Sequence, residues 1–145
     1  MKVAIASDHG GYRLKQEIML LLEQLNVEFK DFGSYDDCSV DYPDYAFKVA
    51  EAVVAKDYDR GILICGTGIG FSIAANKVKG IRCALAHDVF SAKATREHND
   101  SNILALGARV IGVGLAGEIV KTWLEAEFLG TYHVKRIEKI SQYES

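Results

Sequence analysis

"RGILICGTGIGFSIAANKV", residues Arg60–Val78, runs from a nearly all-apolar stretch through three glycines on alternate positions into a second, mostly apolar stretch. "RGILIC" has the length of a strand and no polar alternation, as expected when both faces of a sheet are covered. Gly66, Gly68 and Gly70 then break the run, and "FSIAANKV" reads as a helix. Strand, tight turn and helix make the first half of a βαβ unit.

The same pattern recurs on both sides. Towards the N-terminus, "KVAIAS" (Lys2–Ser7) is a buried strand closed by Asp8-His9-Gly10-Gly11. Leu14, Ile18, Leu21, Leu22 and Leu25 follow at helical spacing, with Arg13, Glu17 and Gln24 on the opposite side. "VEFKDF" reads as a second strand and "GSYDDCSVDYPDY" as a polar loop. "YAFKVAEAVVAK" is then a helix with Ala46, Val49, Ala50 and Val53 on its apolar face, and Pro43 is placed to start it. Towards the C-terminus, "IRCALA" is a strand, "DVFSAKATREHN" a helix and "NILAL" a fifth strand. "LAGEIVKTWLEAEF" and "HVKRIEKISQY" close the chain as helices. Alternating strands and helices with short connections predict a parallel five-stranded sheet with helices on both faces. The expected fold is α/β, a Rossmann-like three-layer α/β/α sandwich forming one domain over residues 1–145.

Composition narrows the function. The formal net charge is -3, with both signs spread along the chain, so there is no basic stripe for nucleic acid. No segment reaches membrane-spanning length, and the N-terminus lacks a signal-peptide core. Cys38, Cys65 and Cys83 include no CxxC pair, which argues against a disulfide framework and a zinc site. A reducing cytoplasm is the expected home, with no metal in the site.

Ligands of open α/β sheets bind beyond the carboxyl ends of the strands. Two loops lie there, "SDHGG" and "CGTGIG". In the second, the missing Cβ atoms let backbone N–H groups approach an anion closely. It is not a dinucleotide fingerprint: GxGxxG requires a glycine where Phe71 stands, and Gly70 comes one residue early. It is not a cysteine-phosphatase loop, because after five intervening residues Phe71 again stands where a phosphate-clamping arginine is needed. No Gly-Lys-Ser or Gly-Lys-Thr follows, which removes a Walker loop. What survives is Cys65 as a thiolate base beside main-chain donors that could hold an oxyanion, with a buried structural cysteine as the plain alternative.

Asp8 and His9 are either turn formers or ligand contacts, and Gly10 and Gly11 favour close approach. His98 and Asn99 precede the fifth strand and so belong to the opposite edge of the sheet. If they act with Cys65, they reach the pocket of a neighbouring molecule. Arg109 and Arg136 could pair with a phosphate or be solvated surface charges. His87 reads as structural, and His133 has no assigned role.

With "SDHGG", "DYPDYA", "GILICGTGIGFSIAANK", "GIRCAL", "REHNDSNILALGARVIG" and "HVKRIEKI" in order, the chain resembles, almost end to end, the type B ribose-5-phosphate isomerases and the wider family that includes galactose-6-phosphate isomerase subunits. The resemblance implies interconversion of ribose 5-phosphate and ribulose 5-phosphate through an enediolate, with no cofactor. It implies Cys65 as the base and an oxyanion held by Thr67 and the amides of Gly66, Thr67, Gly68, Ile69 and Gly70. His98 would open the furanose ring, with Asp8 at a hydroxyl. His9, Arg109 and Arg136 would take the phosphate and Asn99 a sugar hydroxyl. It also implies a homodimer with a shared pocket, sometimes paired into a tetramer, and a C-terminal helix that reaches the partner. Tyr132 stands where many members carry arginine, which leaves a six-carbon phosphosugar such as allose 6-phosphate or galactose 6-phosphate as the alternative substrate. A non-catalytic phosphosugar- or nucleotide-binding module is the competing class.

Overall fold

A computed structural model describes residues 1–144. The elements are β1 (Lys2–Ser7), α1 (Tyr12–Gln24), β2 (Glu28–Asp31), α2 (Tyr42–Val54), β3 (Arg60–Cys65), α3 (Ile69–Ala75), β4 (Cys83–Leu85), α4 (Val89–Asn99), β5 (Ile103–Gly107), α5 (Val113–Glu125) and α6 (His133–Tyr143). Every strand pairing is parallel, and the order is β2-β1-β3-β5-β4. The three central strands are the apolar ones: β5 is buried throughout, and β1 and β3 are buried on both faces apart from their first residues. The short strands β2 and β4 take the edges.

One face of the sheet packs Ile18 and Leu22 of α1 and Ile119 and Trp123 of α5 against Ile5, Ile62 and Leu104. The other packs Val49 and Val53 of α2 and Phe71 of α3 against Leu63 and Ala105. The expected three-layer α/β/α fold with five parallel strands is therefore the observed one. From β1 the chain steps outward to β2, and from β3 it steps the other way, so the order reverses between β1 and β3. Such a reversal opens a crevice at the carboxyl edge, between the two loops that the sequence singles out.

Boundaries shift for local reasons. Helix α3 begins at Ile69, two residues earlier than "FSIAANKV" predicts, because Gly68 at φ 77° makes the turn that starts it. It ends at Ala75, where Val78 bonds back to Ala75 and Ile81 to Val78. Helix α2 starts at Tyr42 with Pro43 in its first turn, upstream of the expected Tyr45. Strand β4 shrinks to three residues, with the Asn76 side chain bonded to both the N–H and the carbonyl of Cys83. Helix α5 spans Val113–Glu125, where "LAGEIVKTWLEAEF" predicts Leu115–Phe128. Helix α6 matches its prediction. Among the described residues, no helix is long and apolar enough to cross a membrane.

Candidate active site

Three loops meet at the carboxyl edge of the central strands. The Asp8 N–H donates to the Ile64 carbonyl (3.3 Å), the Ala108 N–H to that of Cys65 (2.8 Å) and the Arg109 N–H to that of Gly66 (3.0 Å). A side chain at position 11 could not fit, since its Cβ would fall 2.0 Å from the Ile64 oxygen. The glycines after β1 therefore bring the first loop onto the third strand.

Cys65 ends β3 and keeps 5% of its surface. Its Sγ accepts the N–H of Gly68 at 3.0 Å, a bond that strengthens as negative charge builds on sulfur. The Ile69 N–H donates to Thr67 Oγ1 (3.2 Å). Two of the amides that the resemblance gives to the substrate, those of Gly68 and Ile69, are thus engaged within the loop. The N–H groups of Gly66, Thr67, Gly70 and Phe71 make no hydrogen bond within the described residues. These four are the free donors beside the sulfur.

Asp8 is buried, and its Oδ1 accepts the Gly11 N–H (3.1 Å). His9 Nδ1 accepts the Val40 N–H (3.3 Å), which leaves Nε2 to carry the proton of the neutral ring. The Arg109 side chain lies beside Gly66, 3.4 Å from where a Cβ there would stand. His9 and Arg109 line one cavity of about 730 Å3, within the range usual for small-ligand sites. His87 Nε2 accepts the Gly107 N–H (3.0 Å), consistent with a structural part. Tyr42 was not foreseen: its ring covers Gly70, 2.7 Å from where a Cβ would be, and meets Phe71 edge-on at 5.9 Å. The "DYPDYA" motif carried that residue, but on its own reads only as a helix start.

The remaining candidates gather elsewhere. His98 and Asn99 lie in the last turn of α4 and are exposed. The His98 ring stacks on His133 at 4.5 Å, His133 meets Tyr132 at 4.3 Å, and the Arg136 guanidinium lies over Tyr132 at 4.9 Å. His133 is the buried middle of this stack. Its pKa is lowered from the usual value, first by burial and then by the charges of His98 and Arg136. Arg82 fixes the end of α4 by donating to the carbonyls of Asn99 (2.9 Å) and Asp100 (2.9 Å). This group sits at the amino edge of the sheet, a strand's length from Cys65, or roughly 15 Å for five residues. Within one chain, Asp8, His9, Cys65 to Gly70 and Arg109 come together, whereas His98, Asn99 and Arg136 do not join them.

Comparison with known proteins shows what the chain as a whole is similar to. A sequence model of the family described as Ribose/Galactose Isomerase matches residues 3–140. The putative sugar phosphate isomerase YwlF of Bacillus subtilis (strain 168) is 69% identical over 147 residues, covering 99% of this chain and 97% of its own. The D-erythrulose-4-phosphate isomerase of Pectobacterium atrosepticum is 45% identical, covering 99% of this chain and 95% of its own. The solved ribose-5-phosphate isomerase B of Clostridium thermocellum superposes with a TM-score of 0.98 at 57% identity, covering 99% of this chain and 97% of its own.

Proposed function

The chain belongs to the ribose/galactose isomerase family and is an aldose–ketose isomerase, and from that premise we propose that it interconverts ribose 5-phosphate and ribulose 5-phosphate with Cys65 as the base. The observation that carries the reading is the Gly68 N–H bonded to Cys65 Sγ, with the free amides of Gly66, Thr67, Gly70 and Phe71 in the same loop.

The thiolate takes the proton from C2 of the open-chain aldose. The C–H electron pair becomes the C1–C2 double bond, and the carbonyl pair moves onto O1, where main-chain donors hold it. The proton then returns from sulfur to C1, while the O2 proton is passed to O1 and stays there as the C1 hydroxyl, leaving O2 as the oxygen of the C2 ketone. Nothing is oxidised or reduced overall. Losing one donor of such an oxyanion site costs about 3 kcal/mol of transition-state stabilisation. The low exposure of Cys65 suits a base that works with water excluded.

His9 and Arg109 take the phosphate from the subunit that supplies Cys65. A second copy of the chain supplies His98 for ring opening, Asn99 for a hydroxyl and Arg136 for the phosphate. Support for this division is the separation of the two groups within one chain, together with exposed apolar residues on α3 (Ile73, 57%) and α6 (Ile140, 52%). The assembly is a homodimer with two shared pockets, each chain being one domain whose α6 reaches its partner.

Proton NMR in heavy water tests the chemistry. With ribose 5-phosphate and no added metal, the native chain should exchange the C2 proton and form ribulose 5-phosphate. Cys65→Ala and Cys65→Ser should do neither while still binding the sugar. Exchange at the native rate in either variant would remove Cys65 as the base, and binding without exchange by the native chain would leave a non-catalytic module. The similarity to a D-erythrulose-4-phosphate isomerase and the presence of Tyr132 make sugar length worth reading in the same way, with erythrulose 4-phosphate, allose 6-phosphate and galactose 6-phosphate.

A further inference from the structure

The cavity beside the cysteine loop contains a second arginine with no assigned task. Its wall includes His9, Gly10 and Arg109, and also Arg13 from the first turn of α1. Arg13 is exposed and makes no hydrogen bond or ion pair among the described residues, and the same holds for the Arg109 side chain. Glu17, one turn along α1, and Asp37 line the cavity as well, yet neither pairs with either guanidinium. Two arginines against two carboxylates leave no net charge with His9 neutral. General attraction therefore does not make this an anion site, whereas direct guanidinium bonds can.

The cavity adjoins the reacting loop. A Cβ on Gly10 would stand 3.2 Å from the Gly66 N–H nitrogen, and a Cβ on Gly66 would stand 3.4 Å from the Arg109 side chain. An anion held between Arg13, Arg109 and His9 would lie next to the residue that follows Cys65. The phosphate of a short sugar, a few bonds from the carbon losing its proton, belongs at such a place.

We propose that Arg13 is a phosphate-binding residue, supplying with Arg109 a two-guanidinium clamp for the terminal phosphate of the substrate. This rests on the isomerase reading for the identity of the sugar, but not for the anion itself. A paired guanidinium–phosphate contact fixes the distance from phosphorus to the reacting carbons, so Arg13 also contributes to selection by sugar length.

Arg13→Ala, Arg13→Gln and Arg13→Lys, each exposed helix substitutions, test it in the native full chain. Arg13→Ala and Arg13→Gln should raise KM for ribose 5-phosphate and the inhibition constant of inorganic phosphate together, each by about tenfold, with the loss falling on KM rather than kcat. Arg13→Lys should recover part of both. A merely structural role would not move two phosphate ligands by one factor. If the native chain isomerises ribose 5-phosphate and the Arg13→Ala values stay within twofold, the clamp is overturned and the isomerase reading stands. If the native chain isomerises nothing, that reading falls, and calorimetry with inorganic phosphate decides alone. Weaker binding by Arg13→Ala then supports the clamp, and equal or no binding by both chains overturns it.

Discussion

The three cysteines show how little a residue type says before its surroundings are known. Burial pushes the Cys83 thiol up to about 12, so it stays protonated at neutral pH. Cys38 is exposed, with its pKa raised by the hydrogen bond and charge of Asp36. Among the described residues, only Cys65 has a main-chain donor aimed at its sulfur. The histidines divide in the same way, and His133 makes a pH prediction. Its folded pKa lies below the ordinary value of 6.5, so the unfolded chain binds the extra proton first. The contribution is complete above about pH 6.5 and is lost as pH falls from there towards the folded value. Melting curves from pH 7.5 down to 5.5 should show the native chain losing more stability than His133→Gln; equal slopes would remove His133 from the account. Cys65, His9 and Arg109 were legible because glycines and loop position mark them. Tyr42 and the engaged amides of Gly68 and Ile69 were not, since side-chain direction and loop closure depend on contacts distant in sequence.

At the scale of elements, patterning revealed all five strands and six helices, because each carries an apolar run, a helical stripe or, in the edge strand β2, an alternation of apolar and polar residues. The ends were less legible. They are set by contacts such as the Asn76 side chain on Cys83 and the turn at Gly68, neither of which has a periodic signature. Helix α5 is a case where a distant residue holds an end. Arg60, the first residue of β3, donates to the carbonyls of Trp123 (2.7 Å) and Leu124 (3.1 Å) and stacks on the Trp123 ring at 5.2 Å. Burial, and then the charge of Arg96, lower its pKa to about 10, so it remains charged at neutral pH. Arg60→Met keeps the stem but leaves the last carbonyls of α5 without a charged donor. Urea denaturation should show a loss of roughly 2 kcal/mol with an unchanged m-value. A loss under about 0.5 kcal/mol, typical of an inert surface change, would mean that water serves those carbonyls as well.

At the scale of the molecule, the placement of the two residue groups is a consequence of topology. Cys65 ends a strand, and His98 ends the helix that leads into the next strand of the sheet, so parallel pairing holds them at opposite edges. No rotamer change brings them together within one chain, which is why a second copy is part of the proposed site. That arrangement predicts complementation between two inactive variants. Cys65→Ala lacks the base and His98→Asn lacks the ring-opening group, and each homodimer should be nearly inactive on cyclic ribose 5-phosphate. In a mixed dimer, one pocket combines both losses and the other combines native Cys65 with native His98. Unfolding and refolding an equimolar mixture should therefore restore about a quarter of native activity, since roughly half the dimers are mixed and each has one intact pocket. Mixing without subunit exchange should restore none. If refolded mixtures stay as inactive as their components while sedimentation shows dimers, Cys65 and His98 do not share a pocket across the interface.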